Sequence, residues 1–239
     1  MIILGSRIHR IMQEPVPDKP RAIKKTIASV AIAGFLFFAV GFAALHFLRA
    51  DLDPKAHYGS EYAIGPYGLL MQANFVMFGL GLSALGMWLL QNAGRSRVVA
   101  LGSVLLFVAS VGLFIDAVVP TDPLGAPETP TGGVHNTVGA LVFLSLAVAF
   151  QVLTLAFRKQ LPWKGVGAIA PALAVASLAS FLAFPLSQGS GVTGLVQRVA
   201  LVCYIAWLLQ FTVRLCFLRP APRPSGHDVH PDDRLVAGT

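Results

Sequence analysis

Six apolar stretches, each long enough to cross a lipid bilayer, constrain the fold of this chain more than any other feature of its sequence. They cover residues 27–48, 67–91, 98–119, 134–157, 165–186 and 195–218. A helix of about 20 apolar residues spans the hydrocarbon core and satisfies its own backbone hydrogen bonds there. Only 12% of the 239 residues are charged, about half the share in a soluble domain. The sequence therefore predicts an all-α polytopic membrane protein, a bundle of six transmembrane helices.

The basic residues are divided unevenly between the two sides of such a bundle. If the N-terminus is cytoplasmic, the outer loops hold only Arg49 and Lys55, and every other Lys and Arg outside the spans falls in an inner segment. This asymmetry follows the positive-inside rule. It predicts cytoplasmic N- and C-termini in a multi-pass protein of the cell inner (plasma) membrane. Because topology accounts for the net charge of +7, membrane lipids are the expected partners and nucleic acid is not.

Three parts of different composition follow one another along the chain. Residues 1–26 are polar, basic and proline-containing, and residues 219–239 combine several prolines with acidic residues. Segments of this composition bury too little apolar surface to fold alone. We therefore expect a basic cytoplasmic N-terminal segment, a six-helix transmembrane domain over residues 27–218, and a flexible cytoplasmic C-terminal tail.

Ionisable residues lie in or beside several spans, and the predicted topology places all of them at the outer side. They are His46, Glu61, Asp116, Asp122, His135 and Arg198. Such groups are costly in lipid and usually face the interior of a bundle or a water-filled cavity. Their common depth predicts a polar pocket that opens outward.

Asp116 is the deepest of these acids, and a buried carboxylate requires a partner. Arg198 is the only basic residue in the outer half of a span. We therefore predict an Asp116–Arg198 ion pair that joins the third span to the sixth. Such a pair serves structure as readily as function.

The two histidines beside the spans leave a metal site open as an alternative. His46 and His135 could combine with the neighbouring carboxylates, and catalytic zinc commonly takes three protein ligands. The chain has no His-x-x-x-His or His-Glu-x-x-His spacing, and no cysteine lies near either histidine. A histidine at a helix end more often caps the helix or makes a hydrogen bond. The sequence therefore assigns no metal, haem, pigment or other cofactor.

Four motifs occur in a fixed order between the first and fourth spans. They are His46, Ser60-Glu61-Tyr62-Ala63 with Gly65-Pro66-Tyr67-Gly68, Pro120-Thr121-Asp122-Pro123, and Gly132-Gly133-Val134-His135. In this order they resemble an uncharacterised family of six-span bacterial and archaeal membrane proteins, domain of unknown function 998. The resemblance covers roughly residues 27–218. It implies an integral membrane bundle and draws attention to Glu61, Asp122 and His135, but it implies no reaction.

We interpret the outer end as a site that binds or processes a lipid head group or another amphiphile. In this hypothesis four residues act as general base, acids or orienting groups, and four others hold the ligand, with the arginine as partner of an anion. The first set is His135, Asp122, Glu61 and Asp116. The second set is Arg198, His46, Tyr62 and Ser60. The protein is an enzyme only if these groups converge on one reacting atom.

Two other classes of function remain open at this stage. The first is a non-catalytic membrane-complex subunit or sensor, whose polar rim contacts a partner membrane protein or a second copy of the chain. The second is a small-solute transporter, which requires a polar route that continues inward past Asp116. Beyond Asp116, the polar residues in the inner halves of the spans are chiefly Ser, Thr, Gln and Asn, with Arg214 near the inner end. This is a thin polar route, so transport ranks last.

Overall fold

The structure, a computed structural model, describes residues 19–92, 96–158 and 169–217. Apart from positions 19–26, the predicted terminal segments 1–26 and 219–239 lie outside these residues. The described chain contains six long helices and no strand. The helices are α1 (Lys19–Leu48), α2 (Gly68–Asn92), α3 (Arg97–Asp116), α4 (Pro130–Phe157), α5 (Ile169–Leu186) and α6 (Thr193–Phe217). A short 3-10 helix, Gly59–Ala63, lies between α1 and α2.

All six helices are long and apolar enough to cross a membrane, which confirms the predicted fold class. Their ends follow local chemistry. Helix α4 begins earlier than predicted, because Pro130 fits the first turn and the Thr129 side chain accepts a hydrogen bond from the Gly132 N–H. Helix α3 ends at Asp116, three positions earlier than predicted, and the chain then turns into the loop that leads to α4.

The six helices form a closed ring. Each helix packs against its neighbours in sequence, and α6 also packs against α1. Within the ring, the Trp207 ring of α6 stacks on Phe150 of α4 and on Phe211, with centroid distances of 4.2 and 4.5 Å. The Trp207 indole N–H also donates to Thr154 Oγ1 at 3.1 Å. This aromatic stack fills the ring interior towards the end where α4 ends.

Small residues allow α2 and α3 to approach closely. A Cβ added to Gly79 would lie 2.6 Å from the Phe114 ring, so only glycine fits there without a shift. Next to it, Ser110 Oγ donates to the Gly79 carbonyl at 2.7 Å and lies 2.7 Å from Ser83 Oγ. Close approach and interhelical hydrogen bonds replace the hydrophobic drive that lipid cannot supply.

Replacing Ser110 with alanine is expected to lower the free energy of unfolding by about 1 kcal/mol, because bonds of this kind between helices have that size. Ser177→Ala is the matched control, since the Ser177 hydroxyl bonds only the Leu173 carbonyl of its own helix. Unfolding by sodium dodecyl sulfate, followed by tryptophan fluorescence, measures both variants. Equal losses would show that the Ser110 contacts do not stabilise the α2–α3 interface.

Candidate ligand-binding cavity

The loops at residues 49–67, 117–129 and 187–192 meet at one end of the bundle, which we call the loop end. The Tyr58 hydroxyl donates to Gln188 Oε1 at 2.7 Å. The Leu195 N–H donates to the Lys55 carbonyl at 2.9 Å. The first bond joins the first loop to the third, and the second joins the first loop to the first turn of α6. All six ionisable residues singled out in the sequence lie at this end, as their common depth predicted.

Glu61 joins the first loop to the second. The residue is 2% exposed, and it occupies the third position of the short 3-10 helix. Oε1 accepts from the Tyr58 N–H at 2.7 Å, as in a capping box. Oε2 accepts from the Leu124 N–H at 2.9 Å and lies 3.0 Å from His57 Nδ1. The carboxylate is therefore fully engaged in holding two loops together.

Asp122 organises the start of α4. Its two carboxylate oxygens accept from the Thr129 N–H and hydroxyl, both at 2.8 Å. A Cβ added to Gly132 would lie 1.9 Å from Asp122 Oδ2, so this glycine makes room for the carboxylate. Asp122 therefore helps to cap the N-terminus of α4, and its carboxylate explains the glycine at position 132.

Arg198 connects α6 to α1 and to the first loop. Its Nε donates to His46 Nε2 at 2.7 Å, and His46 Nδ1 in turn lies 2.8 Å from the Phe42 carbonyl. Since a carbonyl only accepts, Nδ1 carries the hydrogen. The Nη2 of Arg198 donates to the Tyr62 hydroxyl at 3.1 Å. Its Nη1 donates to the His57 and Gly194 carbonyls.

The predicted Asp116–Arg198 ion pair is wrong. The Arg198 guanidinium faces neutral acceptors and packs over the Phe42 and Tyr62 rings, 5.7 and 5.6 Å from their centroids. It forms no ion pair with a carboxylate in the described part of the chain. In the ring of helices, α3 has α2 and α4 as neighbours, so Asp116 faces α4 rather than α6.

A cavity of about 510 Å³ extends from the loop end into the ring. All six helices contribute to its wall, which is mostly aromatic and aliphatic rather than polar as the sequence predicted. The polar residues on the wall are Tyr58, Ser60, Asp116, His135, Asn136, Ser180, Gln188, Gln197 and Tyr204. Leu146 and Tyr204 lie deepest along their helices, one turn from the aromatic stack of Phe150 and Trp207. The stack therefore closes the inner end.

Two of the polar residues on this wall, Asp116 and His135, lie next to each other. Asp116 is 5% exposed, and its Oδ1 has no hydrogen-bond partner among the described residues. His135 Nδ1 lies 3.6 Å from Oδ1 but donates to the Val119 carbonyl at 2.8 Å. His135 Nε2 makes no hydrogen bond within the described chain. Within the described chain, one carboxylate oxygen and one imidazole nitrogen are thus left without hydrogen-bond partners.

The eight predicted site residues therefore fall into separate groups. Asp116, His135 and Ser60 line the cavity. The other five are held in the contacts described above, behind or beside the wall; they are Glu61, Asp122, Arg198, His46 and Tyr62. Sequence reasoning missed most of the wall. Asn136 and Gln197 could have been predicted as wall residues, because each is next to a predicted site residue in the sequence. The phenylalanines of the wall could not, because a sequence does not distinguish them from lipid-facing residues.

Two titratable groups of the first loop, outside the spans, have shifted pKa values. Burial, and secondly the Glu61 carboxylate, raise the pKa of the Tyr58 phenol, against the opposite effect of its bond to Gln188. Tyr58 therefore stays protonated as a donor at the cavity wall. The second group is the exposed Asp51 carboxylate, whose pKa is lowered by its hydrogen bond from Arg49. These two residues form an ion pair of 2.9 Å that does not line the cavity.

Metal ligation receives no geometric support from the part of the chain that the structure describes. Within it, no group of three or more His, Cys, Asp or Glu side chains could hold a metal ion. The two histidines considered for a metal belong to different clusters. His46 is bound to Arg198 and to its own helix, whereas His135 lies against Asp116.

Six apolar helices in a closed ring define a multi-pass integral membrane protein of the all-α class. Residues 31–214 match the model of a family described as a protein of unknown function, DUF998. Because this match covers most of the chain, the protein belongs to that family, as the motifs indicated. No curated protein and no solved structure matched the chain.

Proposed function

We propose that the protein binds an amphiphile, with the apolar chain in the cavity and the polar group beside Asp116 and His135. The basic inner loops support a plasma-membrane location with the loop end outside. The observation that carries the proposal is an apolar cavity of about 510 Å³ with a buried, unpartnered carboxylate on its wall. Ligand sites are typically pockets of this size, mostly apolar, with a few polar groups that orient the ligand.

The positions of Asp116 and His135 support an amphiphile that binds in one orientation, with its polar group towards the loop end. Asp116 ends α3 and His135 lies in the second turn of α4, so both lie towards the loop end of the cavity. Phe78 and Leu146 line it further along their helices. A ligand with its polar group near the loops and its chain towards the aromatic stack matches this gradient.

The geometry supports binding rather than chemical processing. Covalent catalysis needs a hydroxyl, thiol or other nucleophile within hydrogen-bond reach of a base. In the described chain, neither Asp116 nor His135 has a hydrogen bond to a side-chain hydroxyl or thiol. His135 Nδ1 is committed to a backbone carbonyl. These two residues therefore serve as polar contacts for a ligand.

The alternative functions receive less support. Glu61, Asp122 and Arg198, which gave the loop end its charged rim in sequence, are engaged within the chain, so they offer few free groups to a partner protein. The stack of Phe150, Trp207 and Phe211 closes the inner end of the cavity. A transporter would need a polar route at that level.

Gly139→Leu tests the proposed function, because it should fill the cavity without disturbing the fold. A Cβ at Gly139 meets only Asp116 Oδ2, at an ordinary distance of 3.7 Å, and leucine is the better helix former by up to about 1 kcal/mol. Native mass spectrometry of protein released from mild detergent is expected to show a stoichiometric amphiphile on the wild type. The variant should lose it.

Ala172→Leu is the matched control, since it adds a similar side chain at an exposed position of α5. This control should keep the bound mass. A wild type without any adduct would contradict the proposed function, as would an adduct that Gly139→Leu retains in full.

A further inference from the structure

Asp116 also indicates what kind of polar group the cavity would accept. Its Oδ1 is enclosed by the protein and has no hydrogen-bond partner among the described residues, and the whole side chain is only 5% exposed. A buried carboxylate is costly unless it is paired or hydrogen-bonded. His135 does not meet this need, because its Nδ1 hydrogen points to the Val119 carbonyl. Asp116 lines the cavity, so its carboxylate brings a negative charge without a compensating partner to the wall.

His135 adds a second acceptor to the same wall. The Val119 carbonyl can only accept, so the hydrogen of the neutral imidazole is on Nδ1 and the lone pair is on Nε2. Nε2 makes no hydrogen bond within the described chain. The Phe75 ring, 6.3 Å from the His135 ring between centroids, also lines the cavity. Two acceptors and an aromatic face suit a donor with positive charge.

The described residues of the wall carry no positive charge that would suit an anion. No Lys or Arg is among the described residues that line it. Arg198 does not line the cavity; it packs over the Phe42 ring and donates to His46, Tyr62 and two carbonyls. A phosphate or carboxylate head would therefore face the Asp116 carboxylate with no compensating cation, and like charges in a low-dielectric site repel strongly.

We propose that the cavity selects amphiphiles whose polar group is a protonated amine, which donates to the Asp116 carboxylate while the apolar chain fills the aromatic interior. This rests on the proposed function and specifies its ligand class. An ammonium has three donors and no acceptor, so it can bond Asp116 and His135 Nε2 together. A neutral alcohol can donate one hydrogen bond but leaves the buried charge unbalanced.

Three ligands of equal chain length test this selectivity. Octylamine, octanol and octanoate are titrated calorimetrically into the full chain in nanodiscs of zwitterionic phosphatidylcholine, with empty nanodiscs as blank. We expect saturable octylamine binding at least tenfold tighter than that of octanoate. Asp116→Asn, which keeps the side-chain shape and removes the buried charge, should weaken octylamine binding about tenfold and leave octanol binding nearly unchanged.

Asp51→Asn is the matched control for net charge. Its carboxylate side chain is 62% exposed and lies in a loop at the same end of the bundle, so it reports any general attraction of cations to the surface. This variant should bind octylamine as the wild type does. Equal losses in both variants would overturn a specific role for Asp116.

The outcomes separate the head-group inference from the proposed function. If octanoate binds the wild type as tightly as octylamine, or if Asp116→Asn retains full octylamine affinity, the amine inference is overturned. Should these ligands still bind saturably and lose affinity in Gly139→Leu, the amphiphile site itself stands. If none of the three binds saturably, both proposals fail. If Asp116→Asn does not fold, the relative affinities of octylamine and octanoate for the wild type still decide the amine inference.

Discussion

Replacing Glu61 with glutamine is expected to lower the free energy of unfolding by about 2–4 kcal/mol, although the two side chains have nearly the same shape. The carboxylate accepts from the Tyr58 and Leu124 N–H groups with different oxygens. An amide has only one oxygen, so its NH₂ group must face one of these donors. The variant also loses the interaction with His57. The backbone N–H that faces the amide NH₂ group stays buried without an acceptor, and this lowers the free energy of unfolding by the desolvation cost of that N–H.

The measurement for Glu61→Gln is unfolding by sodium dodecyl sulfate in a fixed detergent, followed by tryptophan fluorescence. Glu128→Gln makes the same chemical change at an exposed position of the second loop, and exposed substitutions change stability by less than about 0.5 kcal/mol. Glu61→Gln should also increase proteolysis of the loops it joins. If both variants unfold at the same denaturant concentration, Glu61 does not hold the loops together.

Replacing Arg198 with lysine is expected to cost about 2–4 kcal/mol even though the positive charge is kept. The guanidinium donates through three nitrogens to groups on α1, on α6 and in the first loop, including His46 Nε2 and the Tyr62 hydroxyl. One ammonium nitrogen cannot reach all of these acceptors. The contacts of the guanidinium with the Phe42 and Tyr62 rings are also lost.

Arg97→Lys provides the matched control for Arg198→Lys. Arg97 is exposed at the first position of α3, and its replacement should change the unfolding midpoint very little. The same denaturation experiment applies. A loss for Arg198→Lys no larger than that of the control would show that the charge alone, rather than the fork of donors, stabilises the loop end.

The six helices could be predicted because the length and hydropathy of a span are local properties of the chain. The errors lie at the ends, where single residues decide. Helix α4 begins at Pro130, four positions before the predicted span, because Thr129 caps it. Helix α3 stops at Asp116, where hydropathy alone continues to residue 119. Of the apolar residues in the following turn, Ala117 is buried in the bundle and Val118 is 79% exposed.

The depth of the polar residues could also be predicted, but their partners could not. Position along a helix gives depth, whereas the direction of a side chain around the helix depends on which helices are neighbours. The ring places α3 beside α4, so Asp116 meets His135 instead of Arg198. Arg198 is satisfied largely by backbone carbonyls and neutral side chains, and a sequence cannot show where such acceptors will lie.

The cavity itself was hidden from the sequence for a physical reason. In a membrane protein, residues that line an apolar cavity and residues that face lipid have the same composition. Phe143 and Phe181 line the cavity, and their sequence neighbours Leu144 and Leu182 are exposed on the bundle surface. The sequence therefore predicted a polar pocket from its few charged residues, whereas most of the wall is aromatic.

The most direct test of the central claim is to locate a bound chain by photolabelling. The probe is a long-chain alcohol with a diazirine near the end of its chain, so the result does not depend on the choice of head group. Adducts mapped by peptide mass spectrometry are expected on Phe143 and Phe181, and excess octanol should abolish them. Adducts confined to Leu144 and Leu182, which are 40% and 59% exposed, and insensitive to octanol would contradict amphiphile binding in the cavity.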